Sequence, residues 1–126
     1  MNGSMSTFEV AKSAEGRHAV RNTGGRTGDA VLFAYASASR GTVPASAPSS
    51  SLRRTLVHFE RFGPLAPGDS RQLDFTLRPE HLAAVGEQGE SVFYPGSYAL
   101  TLSLGNGAEE VEELYECTKA RCDLAA

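Results

Sequence analysis

The sequence predicts an all-β chain, an antiparallel β-sandwich of six or seven strands, and three observations carry that expectation. Short segments with apolar residues at every second position recur along the 126 residues, which is the period of a strand with one buried face. Gly and Pro-Gly turn signals separate these segments at short intervals. Thirteen glycines, many Ser and Ala residues and a hydrophobic share of only 40% leave a large part of the chain to turns and loops. A chain of this length is one domain that buries roughly two-thirds of its unfolded surface.

Residues 1 to 7 are expected to be disordered. Phe8-Glu9-Val10 alternates and opens the first strand, and Ala14-Glu15-Gly16 turns the chain. Arg17 to Arg21 is the second strand, ended by Asn22-Thr23-Gly24-Gly25, where Asn and Gly tolerate left-handed backbone. Ala30 to Tyr35 is apolar on both faces, as expected of a strand in the middle of a sheet. From Ser37 to Ser51 the composition collapses to Ser, Ala, Pro, Gly and Thr, which predicts a long flexible loop. Leu56 to Phe62 forms the next strand. Gln72 to Arg78 alternates without a break, pointing Leu73, Phe75 and Leu77 inward. Tyr98, Leu100, Leu102 and Leu104 form a second such stripe, with Ala99, Thr101 and Ser103 on the solvent side. Ala66-Pro67-Gly68-Asp69 and Tyr94-Pro95-Gly96-Ser97 carry the type II signal, Pro where φ is near −65° and Gly where it is positive. Gly105-Asn106-Gly107 reads as a tight hairpin turn. Glu110 to Tyr115 can be a returning strand, or a helix whose shared face holds Val111, Leu114, Tyr115 and Thr118; the Asn-Gly turn favours the strand. Residues 117 to 126 are a tail, frayed or in a short helix.

The net charge of −3, with both signs interspersed, offers no basic stripe for nucleic acid. No window is apolar over the length needed to cross a bilayer. The first residues carry no signal-peptide pattern, so the chain either stays inside the cell or is the end of a longer protein. Cys117 and Cys122 lie too close together to complete a zinc site or to pin two sheets, and free thiols are the expectation.

Three stretches carry a resemblance. They contain Val20, Asn22, Thr23, Gly24, Gly28 and Tyr35; then Leu56, Phe59, Glu60 and Arg61, followed by Leu65, Pro67 and Gly68; then Pro95, Gly96 and Tyr98. In that order and spacing they resemble the fibronectin type III-like domain that closes many enzymes of glycoside hydrolase family three, the β-glucosidases and β-xylosidases. The likeness covers residues 8 to 116. The run His81-Leu82-Ala83-Ala84-Val85-Gly86-Glu87-Gln88-Gly89 looks like that of the plant-type β-xylosidase branch. His58 stands where the family usually has glycine and Phe62 where it has valine, and the chain lacks tryptophan. The resemblance implies a fibronectin type III or immunoglobulin-like sandwich without cofactor. Its expected partners are the catalytic barrel and sandwich domains of a glycoside hydrolase, in cis or lost by truncation. The nucleophile and acid of that family lie in those other domains, and nothing in this chain matches either.

The residues themselves agree with a non-catalytic part. Glycoside hydrolysis needs two carboxylates across a sugar. Asp74 falls on a polar strand face, and Glu60-Arg61 reads as an ion pair or a domain contact. His18, His58 and His81 are too scattered to suggest a metal site, and Ser46 to Ser51 lacks a nucleophile elbow. The Glu109 to Glu116 cluster reads as a solvated face without the oxygen spacing of a calcium loop. His58, Phe59, Arg61 and Phe62 are the domain-contact candidates, with sandwich core as the competing role for the aromatics. A free-standing sandwich module that binds a polysaccharide or a protein is the alternative function.

Overall fold

The structure is a computed structural model that describes residues 8–12, 18–39, 42, 54–104 and 110–125. The chain is all-β, built of antiparallel sheets in a sandwich-like fold as expected. Strands β1 (Phe8–Lys12), β2 (His18–Asn22), β3 (Gly28–Ala38), β4 (Thr55–Leu65), β8 (Gly96–Ser103) and β9 (Glu110–Cys117) are the long ones. Between and after them come the short strands β5 (Ser70–Gln72), β6 (Ala84–Val85), β7 (Ser91–Val92) and β10 (Cys122–Leu124), with one 3-10 turn at Pro79–Leu82. The sheets run in the orders β1-β2-β5, β10-β9-β8-β3-β4 and β6-β7. The proposed N-terminal disorder, the Ala14 to Gly16 turn and the Gly105 to Gly107 hairpin lie outside the described residues, as does most of the Ser37 to Ser51 loop.

The chain divides into two compact units. The first comprises Met1–Phe33, His58–Phe75 and Leu102–Val111. Here β2 pairs antiparallel with β1 from Phe8 against Asn22 to Lys12 against His18, and with β5 from Ala19 against Gln72 to Arg21 against Ser70. Val20, Ala30, Leu32, Phe62, Leu65, Leu102 and Leu104 are buried apolar residues of it. The Ala66–Asp69 turn is type II as predicted: the Asp69 amide donates to the Ala66 carbonyl at 2.9 Å, and Gly68 takes φ +86°, which side-chain-bearing residues rarely adopt. The strand expected over Gln72 to Arg78 stops at Gln72. The Leu73 amide still donates to the His18 carbonyl at 2.8 Å, but His18 is the first residue of β2, and the ladder ends with it. Leu73 and Phe75 are nevertheless more covered than Asp74. Extended chain alternates its side chains whether or not a neighbour strand accompanies it.

The second unit comprises Ala34–Val57, Thr76–Thr101 and Glu112–Ala126. Ala34, Ala36, Leu77, Tyr98 and Leu100 are buried in it. Four expectations are corrected here or nearby. Along β8 the residues expected in solvent, Ala99, Thr101 and Ser103, are each only 8% exposed. This strand lies between β9 and β3, an interior position in its sheet, and its alternate residues are small enough to be covered on both faces. Gly96 has a positive φ, +148°, far from the value of a type II turn, and a Cβ there would meet Thr42 Cγ2 at 2.7 Å. Glycine is needed because the Thr42 side chain packs against this backbone: its hydroxyl donates to the Ser97 carbonyl at 2.8 Å and accepts from the Ser97 amide at 3.1 Å. The tail is a strand, β10, and the cysteines are joined, not free. Cys122 faces Cys117 directly in the antiparallel β9–β10 ladder, whose geometry brings the Cα atoms to 4.0 Å and the thiols together. Glu110 to Tyr115 falls within β9, so the strand reading of that segment holds.

Candidate domain-contact surface

Strand β4 sends successive side chains to opposite faces, so His58, Glu60 and Phe62 share one side and Phe59 and Arg61 the other. The two phenylalanines part company on that basis. Phe62 is 0% exposed and belongs to the core, where no partner can reach it; it is removed from the contact candidates. Phe59 is 64% exposed, so a core role for it is excluded. Arg61 lies on the same side, and its Nη2 is 3.5 Å from Asp29 Oδ2 with most of the guanidinium in water. An exposed pair at that distance contributes little to stability and leaves the cation free to bind elsewhere.

His58 is half-buried. Its Nε2 lies 3.1 Å from Glu60 Oε1, and its ring stacks on Phe75 with centroids 4.6 Å apart and planes 13° from parallel. Glu60 therefore pairs with His58, two residues away on its own face, and not with Arg61, which points to the opposite side. The imidazole in the usual glycine position sits in regular strand. No non-glycine residue among those described has a positive φ, so nothing at this site requires glycine.

Other motif residues converge at the end of β4. Asn22 is 0% exposed, and its side-chain amide donates to the carbonyls of Arg26 and Leu65, each at 2.8 Å. Its Oδ1 accepts from the Gly24 amide at 2.9 Å. The Asn22 backbone N–H donates to the Asp69 carbonyl at 2.9 Å, and its own carbonyl accepts from the Gly68 amide at 2.8 Å. One buried asparagine thus ties its own turn to the end of β4 and to the Pro67-Gly68 turn. The sequence marks Asn22, Gly24, Leu65 and Gly68 as separate motif letters; that they meet in one hydrogen-bonded knot becomes visible only in three dimensions.

The remaining candidates do not assemble into chemistry. Asp74 is exposed on extended chain, and Glu80 is exposed 4.0 Å from Arg78. His81 accepts the Arg78 amide on Nδ1 at 2.9 Å, and His18 is buried in β2. Among the described residues no group of three or more His, Cys, Asp or Glu could hold a metal ion.

Comparison with known proteins gives the chain its family. The fibronectin type III-like domain family matches residues 31–104, more than half the chain. The chain belongs to that family. Among characterised relatives, it is 40% identical over 84 residues to the exo-1,4-beta-xylosidase xlnD of Emericella nidulans, covering 67% of this chain and 10% of that enzyme. It is 34% identical over 89 residues to the exo-1,4-beta-xylosidase bxlB of the same organism, covering 70% of this chain and 11% of the relative. The chain thus spans about a tenth of the length of the enzymes it matches. Among solved structures, the β-glucosidase EmGH1 of Erythrobacter marinus superposes with a TM-score of 0.70 at 21% identity, over 90% of this chain and 16% of that one. Beta-glucosidase 3B of Thermotoga neapolitana does so at 0.66 and 21% identity, over 95% of this chain and 17% of that one. These structural likenesses establish the fold. The sequence likeness to exo-1,4-beta-xylosidases bears out the resemblance read from the motifs.

Proposed function

We propose that this chain is the non-catalytic accessory domain of a β-xylosidase- or β-glucosidase-type glycoside hydrolase, and that it stabilises the catalytic domains through the Phe59–Arg61 side of β4. The parent enzyme hydrolyses the glycosidic bonds of β-linked xylosides or glucosides, and this domain contributes no acid or nucleophile. The observation that carries the reading is the pairing of 40% identity to a xylosidase with coverage of only a tenth of it. An exposed aromatic beside a guanidinium supports the choice of face, since both groups are enriched where proteins meet.

Residues 37 to 51 would lie at the entrance to the parent's active site, as their Ser- and Pro-rich composition suits a segment resting against another surface.

Immunopurification of the natural product from the source cells and medium tests the reading. The expected product is a polypeptide several times longer than this chain that cleaves an aryl β-xyloside or β-glucoside. Recovery of only a free 126-residue protein, with no such activity associated, contradicts it.

A further inference from the structure

The run from His81 to Gly89, which resembles the β-xylosidase branch, has a structural product of its own. In the second unit it supplies part of the 3-10 turn, strand β6 and the turn into β7, and these frame an open groove of about 530 Å³. That volume falls within the roughly 300–1,000 Å³ of small-ligand sites. Each wall is braced locally. The 3-10 turn is capped by the Arg78 amide donating to His81. The β6–β7 hairpin is closed by the Gly86 amide on the Glu90 carbonyl at 2.8 Å and by the Gln88 amide on Glu90 Oε1 at 3.0 Å. The third wall is the turn from Thr118 to Arg121, tied at its base by the Cys117–Cys122 disulfide. Within it, the Thr118 hydroxyl accepts the amides of Ala120 and Arg121 at 3.2 and 3.3 Å.

These braces hold a specific set of groups. Phe93 and Val92 give the groove an apolar surface, and the Phe93 ring is stacked on Tyr98 at 6.0 Å and 17°. Glu80, Ser91 and Lys119 add a carboxylate, a hydroxyl and an ammonium, and among the described residues no carboxylate pairs with Lys119. Glu80 lies 4.0 Å from Arg78 and so is a partnered carboxylate, while Lys119 offers an ammonium, and both groups can hydrogen-bond hydroxyls. Beside a fixed aromatic ring they suit a ligand with apolar C–H faces and hydroxyls that both donate and accept, which is the chemistry of a neutral sugar.

We propose that this groove binds a neutral β-1,4-linked pyranoside chain, with a sugar face on Phe93 and hydroxyls on Glu80, Ser91 and Lys119. The proposal rests on the accessory-domain reading for its choice of ligand, and makes the domain a substrate-holding part of the enzyme as well as a stabilising one.

The test is titration of the ¹⁵N-labelled 126-residue chain with xylotetraose and, separately, with cellotetraose. Saturable shifts confined to the amides of residues 80, 91–93 and 119 are expected, and the sugar that binds more tightly identifies the source. Phe93→Leu keeps the apolar bulk without the ring, and Lys119→Ala removes an exposed amine; each is expected to weaken binding ~tenfold. No saturable shift at these amides with either sugar, to the limit of solubility, overturns the proposal, and so does binding that neither variant alters. A silent groove in a chain recovered from a large active xylosidase leaves the accessory role standing. Binding by a chain recovered alone leaves the groove standing and removes the parent.

Discussion

Phe59 and Phe62 are the same residue type three positions apart on one strand, yet one is 64% exposed and the other fully buried. Strand geometry alone separates them, because an odd spacing puts side chains on opposite faces. The difference teaches how a short motif serves two ends. The Phe62 side of β4 belongs to the fold, and the end of that strand is held by the Asn22 knot at Leu65. The Phe59 side, with Arg61, contributes little within this chain and is available to a neighbour.

The largest expected effect tests the buried side. Phe62→Ala should cost about 3–5 kcal/mol, read from the urea midpoint of the isolated chain. Phe59→Ala in the same assay should stay within about 0.5 kcal/mol of wild type, as for other exposed positions. Equal losses would erase the distinction between the two faces. Asn22→Ala comes next, at roughly 2–4 kcal/mol, because it leaves the Leu65 and Arg26 carbonyls and the Gly24 amide without their partner. Asn22→Asp should also destabilise, since a carboxylate cannot donate to the two carbonyls; an undiminished midpoint in either variant would show that the knot is not what fastens β4.

A third prediction sharpens the contrast at the far edge of the five-stranded sheet, where β10 is paired over only three residues. Replacing both cysteines by serine should lower stability by about 2 kcal/mol. Amide exchange should accelerate at residues 122–124 while β4 is unaffected. The smallest effect concerns pH. Burial raises the phenol pKa of Tyr98, and burial together with the charge of Glu113 raises that of Tyr115. A raised folded-state pKa means the unfolded chain loses its proton first. Stability from these tyrosines is therefore present below their ordinary value of 10.0 and declines as pH rises above it. A melting temperature that rises between pH 9.5 and 11 would contradict the assignment (a range set around the ~10 of free tyrosine).

The sequence made the fold legible where local chemistry and tertiary context agree. Pro67-Gly68 dictates its own turn, and the two-sided apolar run at Ala30 to Tyr35 could only be an interior strand. It misled where burial and pairing come apart. Gln72 to Arg78 has the alternation of a strand but runs past the start of its neighbour, so it buries Leu77 without a ladder. The joined cysteines were hidden because spacing alone does not reveal that positions 117 and 122 face one another across two strands. For the candidate surface, the sequence pointed to β4 but could not say which phenylalanine faced out, since a strand's phase relative to the core is a tertiary property. The groove around Phe93 was invisible as a site, because its walls come from three separate turns.

The central claim is that the Phe59 face serves a neighbouring domain and not this one. Phe59→Glu, measured for thermal midpoint in the isolated chain and for thermal inactivation half-life in the longer enzyme proposed to carry it, tests that claim most directly. The account predicts an unchanged midpoint in the chain and a several-fold shorter half-life in the enzyme. Matching losses in both, or no loss in the enzyme, would contradict it.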